Sequence, residues 1–539
     1  MAADMAHDAA IGVAGATTTW RRAAAWMNTP QGGVALLIGT TLPARLLFAA
    51  SLGLGVDESY VVAAGRNLRL GYFDHPPAVW WLAWLARQLA GTDSAFAVRL
   101  PFVLLFAVST WLMFRLAADL FNACAGLWAA VLFNAVPVLG TTAGTWVLPD
   151  GPLIAALLGA AACMARALPA RDCAARDCAA RSWAAWGWWL GSGACLGLAL
   201  FSKYTATLAG AGMVFYLLTQ PGARRWLRRP HPYAAAGLAL AVFAPVLMWN
   251  ADHGWASLLF QGGRANQGTW HPFGPLVTLG GEALFFLPWI WVPLAACTWR
   301  AAWAGPSDPR AWFLACLALP FFLTFELVSL RSHVLFHWAA PGTMMALPLL
   351  GDVIGRRRRM SRPIRVALIA TAVLVPLGAS LVGAQARFNL LPSVLGDFAL
   401  GRDPDLEAVD WTSLRTALVD RGDLHPGTVA AATRWQDAGK IDYALHGEVP
   451  VVCLGDDPRE YGIFAPASAH VGKDLLIVAP RETLASISTH FAASFGSIDQ
   501  LPPVLLLHAG RPAMLLPLFL GHRFRGAPNV ARHGVASRT

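Results

Sequence analysis

With 539 residues, 56% of them hydrophobic and only 13% charged, the chain carries too much apolar surface for a water-soluble globular protein. A net charge of +10 would suit nucleic acid. Yet the arginines gather between apolar runs, at Arg166 to Arg181, Arg224 to Arg229, and Arg356 to Arg359 with Arg362 and Arg365. That is the positive-inside pattern of a polytopic membrane protein, and it sets nucleic-acid binding aside.

In chain order, residues 1–31 are mixed and polar, with Arg21 and Arg22 before the first apolar run. They lack a compact apolar core ending in small residues, so a retained cytoplasmic tail is expected. A crossing needs about 20 apolar residues. On that measure spans are predicted at 33–52, 96–118, 123–141, 147–166, 183–201, 205–219, 233–251, 279–298, 311–329, 335–354 and 364–385. A cytoplasmic N-terminus then puts loops 167–182, 220–232, 299–310 and 355–363, which hold the arginine clusters, inside. Loops 53–95 and 252–278, the turns 142–146, 202–204 and 330–334, and everything after about 386 fall outside.

Loop 53–95 is too long for a turn and alternates helically (Tyr60, Val61, Ala64, Leu68; then Val79, Trp80, Leu82, Leu85). It predicts two short amphipathic helices in the interface, broken at Pro76-Pro77. Beyond Gln385 acids come close together (Asp403, Asp405, Glu407, Asp410), and apolar runs shorten to strand length at Val451 to Leu454, Leu475 to Val478 and Val504 to Leu507. An extracytoplasmic α/β domain over 386–539 is expected, beside a membrane domain over 32–385. Met514 to Leu520 is interrupted by Pro517 and reads as a strand of that domain in preference to a twelfth span. The cysteines are scattered, five of them (Cys124, Cys163, Cys195, Cys297, Cys316) in apolar runs. The paired Cys173 and Cys178 lie in an Ala-Arg-Asp-Cys-Ala repeat, so neither a disulfide framework nor a cysteine metal site is implied.

Asp57 and Glu58 stand where the first span runs out. Acids are scarce in the membrane half, and these share a loop with Arg66, Arg69, Asp74 and His75. A carboxylate here can take a proton from an acceptor hydroxyl; the plainer alternative is a solvated helix end. Pro76 and Pro77 present His75 at a fixed angle. Neutral, it can join Asp74 on a divalent metal; protonated, it can meet a phosphate. Lys203, Arg264 and Arg331 can neutralise a departing lipid phosphate, or merely snorkel to the interface. His253 and His337 can complete a metal site or bind sugar hydroxyls. Their neighbours Trp255 and Trp338 suit stacking on a pyranose ring, or belong to the interfacial belt.

These residues, in this order, carry a resemblance. A first span, Asp57-Glu58, Gly71-Tyr72-Phe73-Asp74-His75-Pro76-Pro77 with a Trp-rich run after it, and Leu148-Pro149-Asp150-Gly151-Pro152 opening a later span resemble the bacterial branch of the protein O-mannosyltransferase superfamily. That branch includes the enzyme that adds aminoarabinose to lipid A. The likeness continues through Phe201 to Thr205, Asp252 to Arg264 and Ser329 to Pro341. Beyond them, Thr433 to Gln436 and Pro450 to Tyr461 look like the small extracytoplasmic domain of the branch.

The resemblance implies a class C glycosyltransferase of the bacterial cytoplasmic membrane, with its site facing the periplasm. Such an enzyme moves a sugar from a polyprenyl-phosphate donor to a lipid, glycan or protein acceptor. Asp57 takes the place of the catalytic acid, with Glu58 beside it. Lys203, Arg264, Arg331 and His75 are expected on the donor phosphate, and Tyr72, Asp74, Asp150, Tyr204, Trp255 and Trp338 on substrate. Asp74, His75, His253 and His337 would hold a divalent metal if one is used. The aminoarabinose transferases have Lys where this chain has His75, so the sugar is left open. A transporter of a lipid-linked saccharide is the rival reading, but the chain shows no internal repeat and its ionisable groups collect at one face.

Overall fold

The computed structural model describes residues 25–168, 178–266, 268–357, 361–388, 409–508 and 511–526. Most of the expected N-terminal tail, the repeat around Cys173, and Asp403, Asp405 and Glu407 lie outside these residues. Every predicted span falls on helix: α1 (Pro30–Ser51), α4 (Ala95–Leu120), α5 (Ala123–Ala135) with α6 (Pro137–Thr142), α7 (Asp150–Ala167), α8 (Cys178–Ser202), α9 (Ala206–Thr219), α10 (His231–Asp252), α12 (Gly274–Phe285) with α13 (Pro288–Ala304), α14 (Pro309–Ser329), α15 (Ala340–Gly355) and α16 (Arg362–Phe388). Several starts follow from local chemistry. The Asp308 side chain accepts from the Arg310 and Ala311 amides at 3.2 Å ahead of α14, and Asn122 accepts from the Ala125 amide at 3.0 Å ahead of α5.

Only 7 of these helices are long and apolar enough to cross a bilayer alone. At about 1.5 Å per residue the 14-residue α9 falls short of a bilayer core of about 30 Å. Helices α12 and α13 meet at 118° at a break on Phe286 and Leu287, where Leu287 takes a left-handed φ of 69°. By length and composition 7 of the described helices qualify as crossings, or 8 with the bent pair counted as one, so the eleven expected from hydropathy are matched by helices but not all by helices of spanning length.

Loop 53–95 forms the two predicted short helices, α2 (Val56–Ala64) and α3 (Ala78–Ala90). Helix α3 is amphipathic, with Val79, Trp80 and Ala83 buried while Leu85 and Leu89 are exposed. Helix α2 departs from the expectation of an interfacial helix, because every residue from Glu58 to Ala64 is buried. What covers it is the C-terminal domain. Gly439 of α18 (Trp435–Ala444) lies so close that an added Cβ would stand 2.7 Å from the Tyr60 Cα. Arg66 pairs with Asp442, and Lys440 donates to the carbonyls of Leu54 and Val409.

The domain is built on a five-stranded sheet in the order β2-β1-β3-β5-β4. Strands β1 (Ala430–Ala432), β2 (Val451–Cys453) and β3 (Leu475–Val478) are parallel; β5 (Arg511–His522) runs antiparallel to β3 and to β4 (Ser497–His508). The stretch Met514 to Leu520 thus lies in a strand, as the sequence suggested. Alternation along the strands divides the side chains. Ala430, Ala432, Leu476, Val478 and Leu518 join a core that also contains Tyr60, Tyr72 and Trp80, while Ala431, Leu475, Ile477 and Phe519 pack on the other face. Loop and domain therefore share one apolar core.

Candidate active site

The loops predicted to lie outside meet at one end of the bundle, and the C-terminal domain caps them. Helix α2 starts after Gly55 with both acids in its first turn, where the helix dipole favours negative charge. Their fates differ. Glu58 is fully buried. Its carboxylate accepts from the Gly55 amide at 2.8 Å, the Val147 amide at 3.0 Å, Arg99 Nε at 2.8 Å and Arg99 Nη2. Arg99 in turn donates to the carbonyls of Ala49, Leu52 and Gly53 at 3.1, 2.8 and 2.7 Å. With both oxygens committed, Glu58 ties α1, α2 and α4 together and has no acceptor left for chemistry, which corrects its placement as a catalytic residue. Asp57, about 100° round the helix, is exposed.

A second cluster forms around the Asp74-His75 turn. Gly71 lets the turn press on Trp249, whose ring would lie 2.7 Å from an added Cβ. Asp74 is buried. It accepts from Tyr60 Oη at 3.1 Å and Arg459 Nη1 at 3.2 Å, and its carbonyl accepts from Gln261 Nε2. Burial pushes its carboxyl up from the ordinary range, against the pull of Arg459.

The His75 ring keeps a buried Nδ1 without a hydrogen-bond partner. Burial first, then the charges of Lys203, Arg459 and Arg264, hold the imidazole well below its ordinary pKa. A protonated His75 is thereby disfavoured, and the neutral imidazole offers a hydrogen bond without charge. His337 is pushed down to about 4 by burial, with Asp150 opposing and Lys203 and Arg264 reinforcing.

Lys203 and Asp150 meet, with Nζ at 3.0 and 3.2 Å from the two carboxylate oxygens. Arg264 lies over Trp338 at 4.7 Å and Phe260 at 5.7 Å, with no carboxylate at ion-pair distance among the described residues. Lys203, Arg264 and Arg459 therefore set the field at His75, whereas Arg331 is exposed on the turn after α14.

Other expected residues take structural places. Tyr72 is fully buried, stacked on Trp80 at 4.2 Å, with its hydroxyl donating to the Asn67 carbonyl at 3.3 Å. Tyr204 donates to Ser257 at 2.7 Å and accepts from Asn250 at 3.3 Å. Trp255 is half-exposed at a left-handed φ of 62°. His253 stacks on Trp249 at 4.2 Å and bonds that residue's carbonyl through Nδ1 at 2.8 Å. Among the described residues no three His, Cys, Asp or Glu gather in a metal-holding arrangement. The set Asp74, His75, His253 and His337 is thus not assembled, and no step below is routed through a metal.

Sequence reasoning missed Arg99, Gln261, Arg459 and Glu460. Arg99 carried a usable signal, a charge inside an apolar span. Glu460 accepts from the Phe73 amide at 2.8 Å and pairs with Arg69 at 3.4 Å; burial, opposed by these contacts, pushes its carboxyl up to about 8.

The dolichyl-phosphate-mannose-protein mannosyltransferase family matches residues 74–249, a stretch that holds Asp74, His75, Asp150 and Lys203. Lipid A galacturonosyltransferase RgtD of Rhizobium johnstonii is 24% identical over 334 residues, covering 60% of this chain; the chain spans 66% of that relative's length. Among solved structures, apo ArnT from Cupriavidus metallidurans superposes with a TM-score of 0.61 at 16% identity, covering 91% of this chain and 98% of that one. At that identity the likeness is one of fold, and it includes the C-terminal domain.

Proposed function

We propose that this chain is a class C glycosyltransferase, like the protein O-mannosyltransferases and ArnT, and that it transfers sugar from a polyprenyl-phosphate donor to a lipid A-like acceptor. The observation that carries the reading is the convergence of Lys203, Arg264 and the Asp74–Arg459 pair about a neutral His75, at the end of the bundle where Asp57 is exposed.

The donor's phosphate leaves as a phosphate monoester and gains charge as the anomeric C–O bond breaks. Preorganised cations act on that developing charge. Arg264 has an uncommitted guanidinium and Lys203 a charge held by Asp150; His75 donates a hydrogen bond without adding charge. Asp57 takes the proton of an acceptor hydroxyl as the new bond forms on the opposite face, so that one displacement inverts the anomeric centre. If the acceptor atom is already a phosphate oxygen, Asp57 orients it instead.

RgtD and the protein mannosyltransferases, by their names, modify lipid A and protein respectively, and the longer match to the former favours a lipid acceptor. A site facing the periplasm from the inner membrane completes the reading, supported by the arginine cluster Arg224 to Arg229 and by Arg300 and Arg310, in loops predicted to lie inside. Incubation of the purified protein with an undecaprenyl-phosphate sugar and lipid A should release undecaprenyl phosphate and add one sugar mass to lipid A. Donor moved across vesicles without cleavage would refute the transferase and favour a translocator.

A further inference from the structure

We propose that Arg459, from the C-terminal domain, is a ligand of the lipid phosphate, latched on Asp74 until that phosphate arrives. This rests on the reading of the site given above and adds to it a residue from outside the membrane domain.

Arg459 is held in an unusual way. Its backbone adopts a left-handed φ of 48°, a conformation that side-chain-bearing residues keep only where the surroundings impose it. Its guanidinium lies 3.9 Å from the Trp435 ring centroid and 5.6 Å from that of Phe260. Arg264 stands 5.7 Å from the same Phe260 ring, so two guanidiniums flank one aromatic side chain. Like charges so placed repel: the charge of Arg459 lowers the pKa of Arg264, and both act on His75.

Two carboxylates answer Arg459. Nη1 donates to Asp74 at 3.2 Å, and Nε donates to Asp457 at 3.3 Å, whose side chain is half-exposed. Nη2 has no hydrogen-bond partner among the described residues. Together with Arg264 and the buried Nδ1 of His75, it leaves three uncommitted polar groups on three segments. A tetrahedral phosphate oxyanion supplies what they lack, and planar guanidiniums suit it. The contact with the Trp435 ring at 3.9 Å holds the guanidinium while leaving its edge free to turn from Asp74 to the ligand.

The source of the phosphate is either the polyprenyl donor or a lipid A-type acceptor; the donor is favoured because Lys203 and Arg264, assigned above to the leaving phosphate, act together with Arg459 on the same His75. Binding of undecaprenyl phosphate to the full-length protein in detergent, followed by tryptophan fluorescence, is the test. Arg459→Gln is expected to weaken binding at least about tenfold, the loss of one charge-assisted hydrogen bond, with Arg459→Lys recovering most of it. Asp74→Asn, which releases the latch, is expected to bind as tightly as the parent or tighter. A purely structural Asp74–Arg459 pair would make both substitutions equally harmful, and that outcome overturns the proposal.

Arg66→Gln loosens the same domain contact at Asp442, away from the cluster, and is expected to bind within about twofold of the parent; equal weakening there and in Arg459→Gln would also overturn it. If Arg264→Gln weakens binding while Arg459→Gln does not, Arg459 is no ligand but the site stands. If the unmodified protein binds no undecaprenyl phosphate, the reading of the site itself fails. A loss confined to lipid A binding would assign the phosphate to the acceptor and refute the donor assignment.

Discussion

Replacing Glu58 by Gln separates a structural carboxylate from a catalytic one. Four donors converge on Glu58: two from Arg99, one from Gly55 and one from Val147. A glutamine keeps one acceptor oxygen and turns an NH2 toward donors. Arg99, 1% exposed, is left as a buried cation without its counter-ion. Removing one partner of such a pair costs about 3–5 kcal/mol. Arg99 keeps three carbonyl acceptors, so the lower end, about 3 kcal/mol, is expected.

With an unfolding entropy of about 2.1 cal/mol/K per residue, a chain of 539 residues is expected to lose roughly 3 °C in apparent midpoint. Thermal denaturation in detergent, read by the monodisperse fraction on size exclusion, measures it as an operational value. The double variant E58Q/R99Q is expected to lose less than the sum of the singles, since the two side chains serve each other. If E58Q keeps the parental midpoint to within about 1 °C and yet loses transfer, Glu58 acts on substrate and the structural argument is wrong.

The neighbouring acid should behave in the opposite way: D57N is expected to keep the midpoint and abolish transfer to a hydroxyl acceptor, and full activity would remove Asp57 from the mechanism. Glu460 introduces a pH dependence. Its carboxyl, raised from 4.5 to about 8 in the fold, binds a proton more tightly folded than unfolded. Stability from this group is therefore complete below about 4.5 and lost as pH rises through about 8. The midpoint should fall between about pH 5 and 8, and E460Q should flatten that slope; an equal slope in both proteins would assign it elsewhere. G439A puts a Cβ 2.7 and 2.9 Å from the backbone Cα and N of Tyr60, an overpacking worth about 1–3 kcal/mol, and should speed proteolytic release of the C-terminal domain. G210A, whose Cβ meets only Leu196 side-chain atoms at 3.6 Å or more, should not.

Much of the fold could be read from the chain because apolar runs and their lengths are local properties. The positions of α4, α10 and α14, the break at Pro76-Pro77 and the strand over Met514 to Leu520 all follow from local pattern. Strand β1 is three alanines, which carry no strand preference, and only pairing with Val451 to Cys453 on one side and with Leu476 and Ile477 on the other makes them one. The burial of α2 was hidden for another reason. Asp57, Glu58 and Ser59 look like the wet face of an amphipathic helix, but only Asp57 is exposed, and the cover over the rest of α2 comes from Arg99 and from α18. Lys203, Arg264 and His75 were visible as polar residues in a charge-poor membrane half. Arg459 was not, because Gly455-Asp456-Asp457-Pro458-Arg459-Glu460 reads as an ordinary surface turn, and only tertiary contact brings it to Asp74.

The bonds that close the site join residues far apart in the chain: 376 positions separate Arg66 from Asp442, 385 separate Asp74 from Arg459, and 386 separate Leu54 from Lys440. At about 5–20 residues per second, roughly 20–75 s of synthesis pass between the appearance of the loop and that of its partners. During that interval the membrane helices can insert, but the loop lacks the half of its core that lies on the sheet. An inserted chain is therefore expected to remain idle until its last fifth is made, and pulse-labelled chains stopped before Trp435 should be membrane-bound, protease-sensitive in loop 53–95 and without transfer. Completion of the site is in this sense timed by the chain's own length.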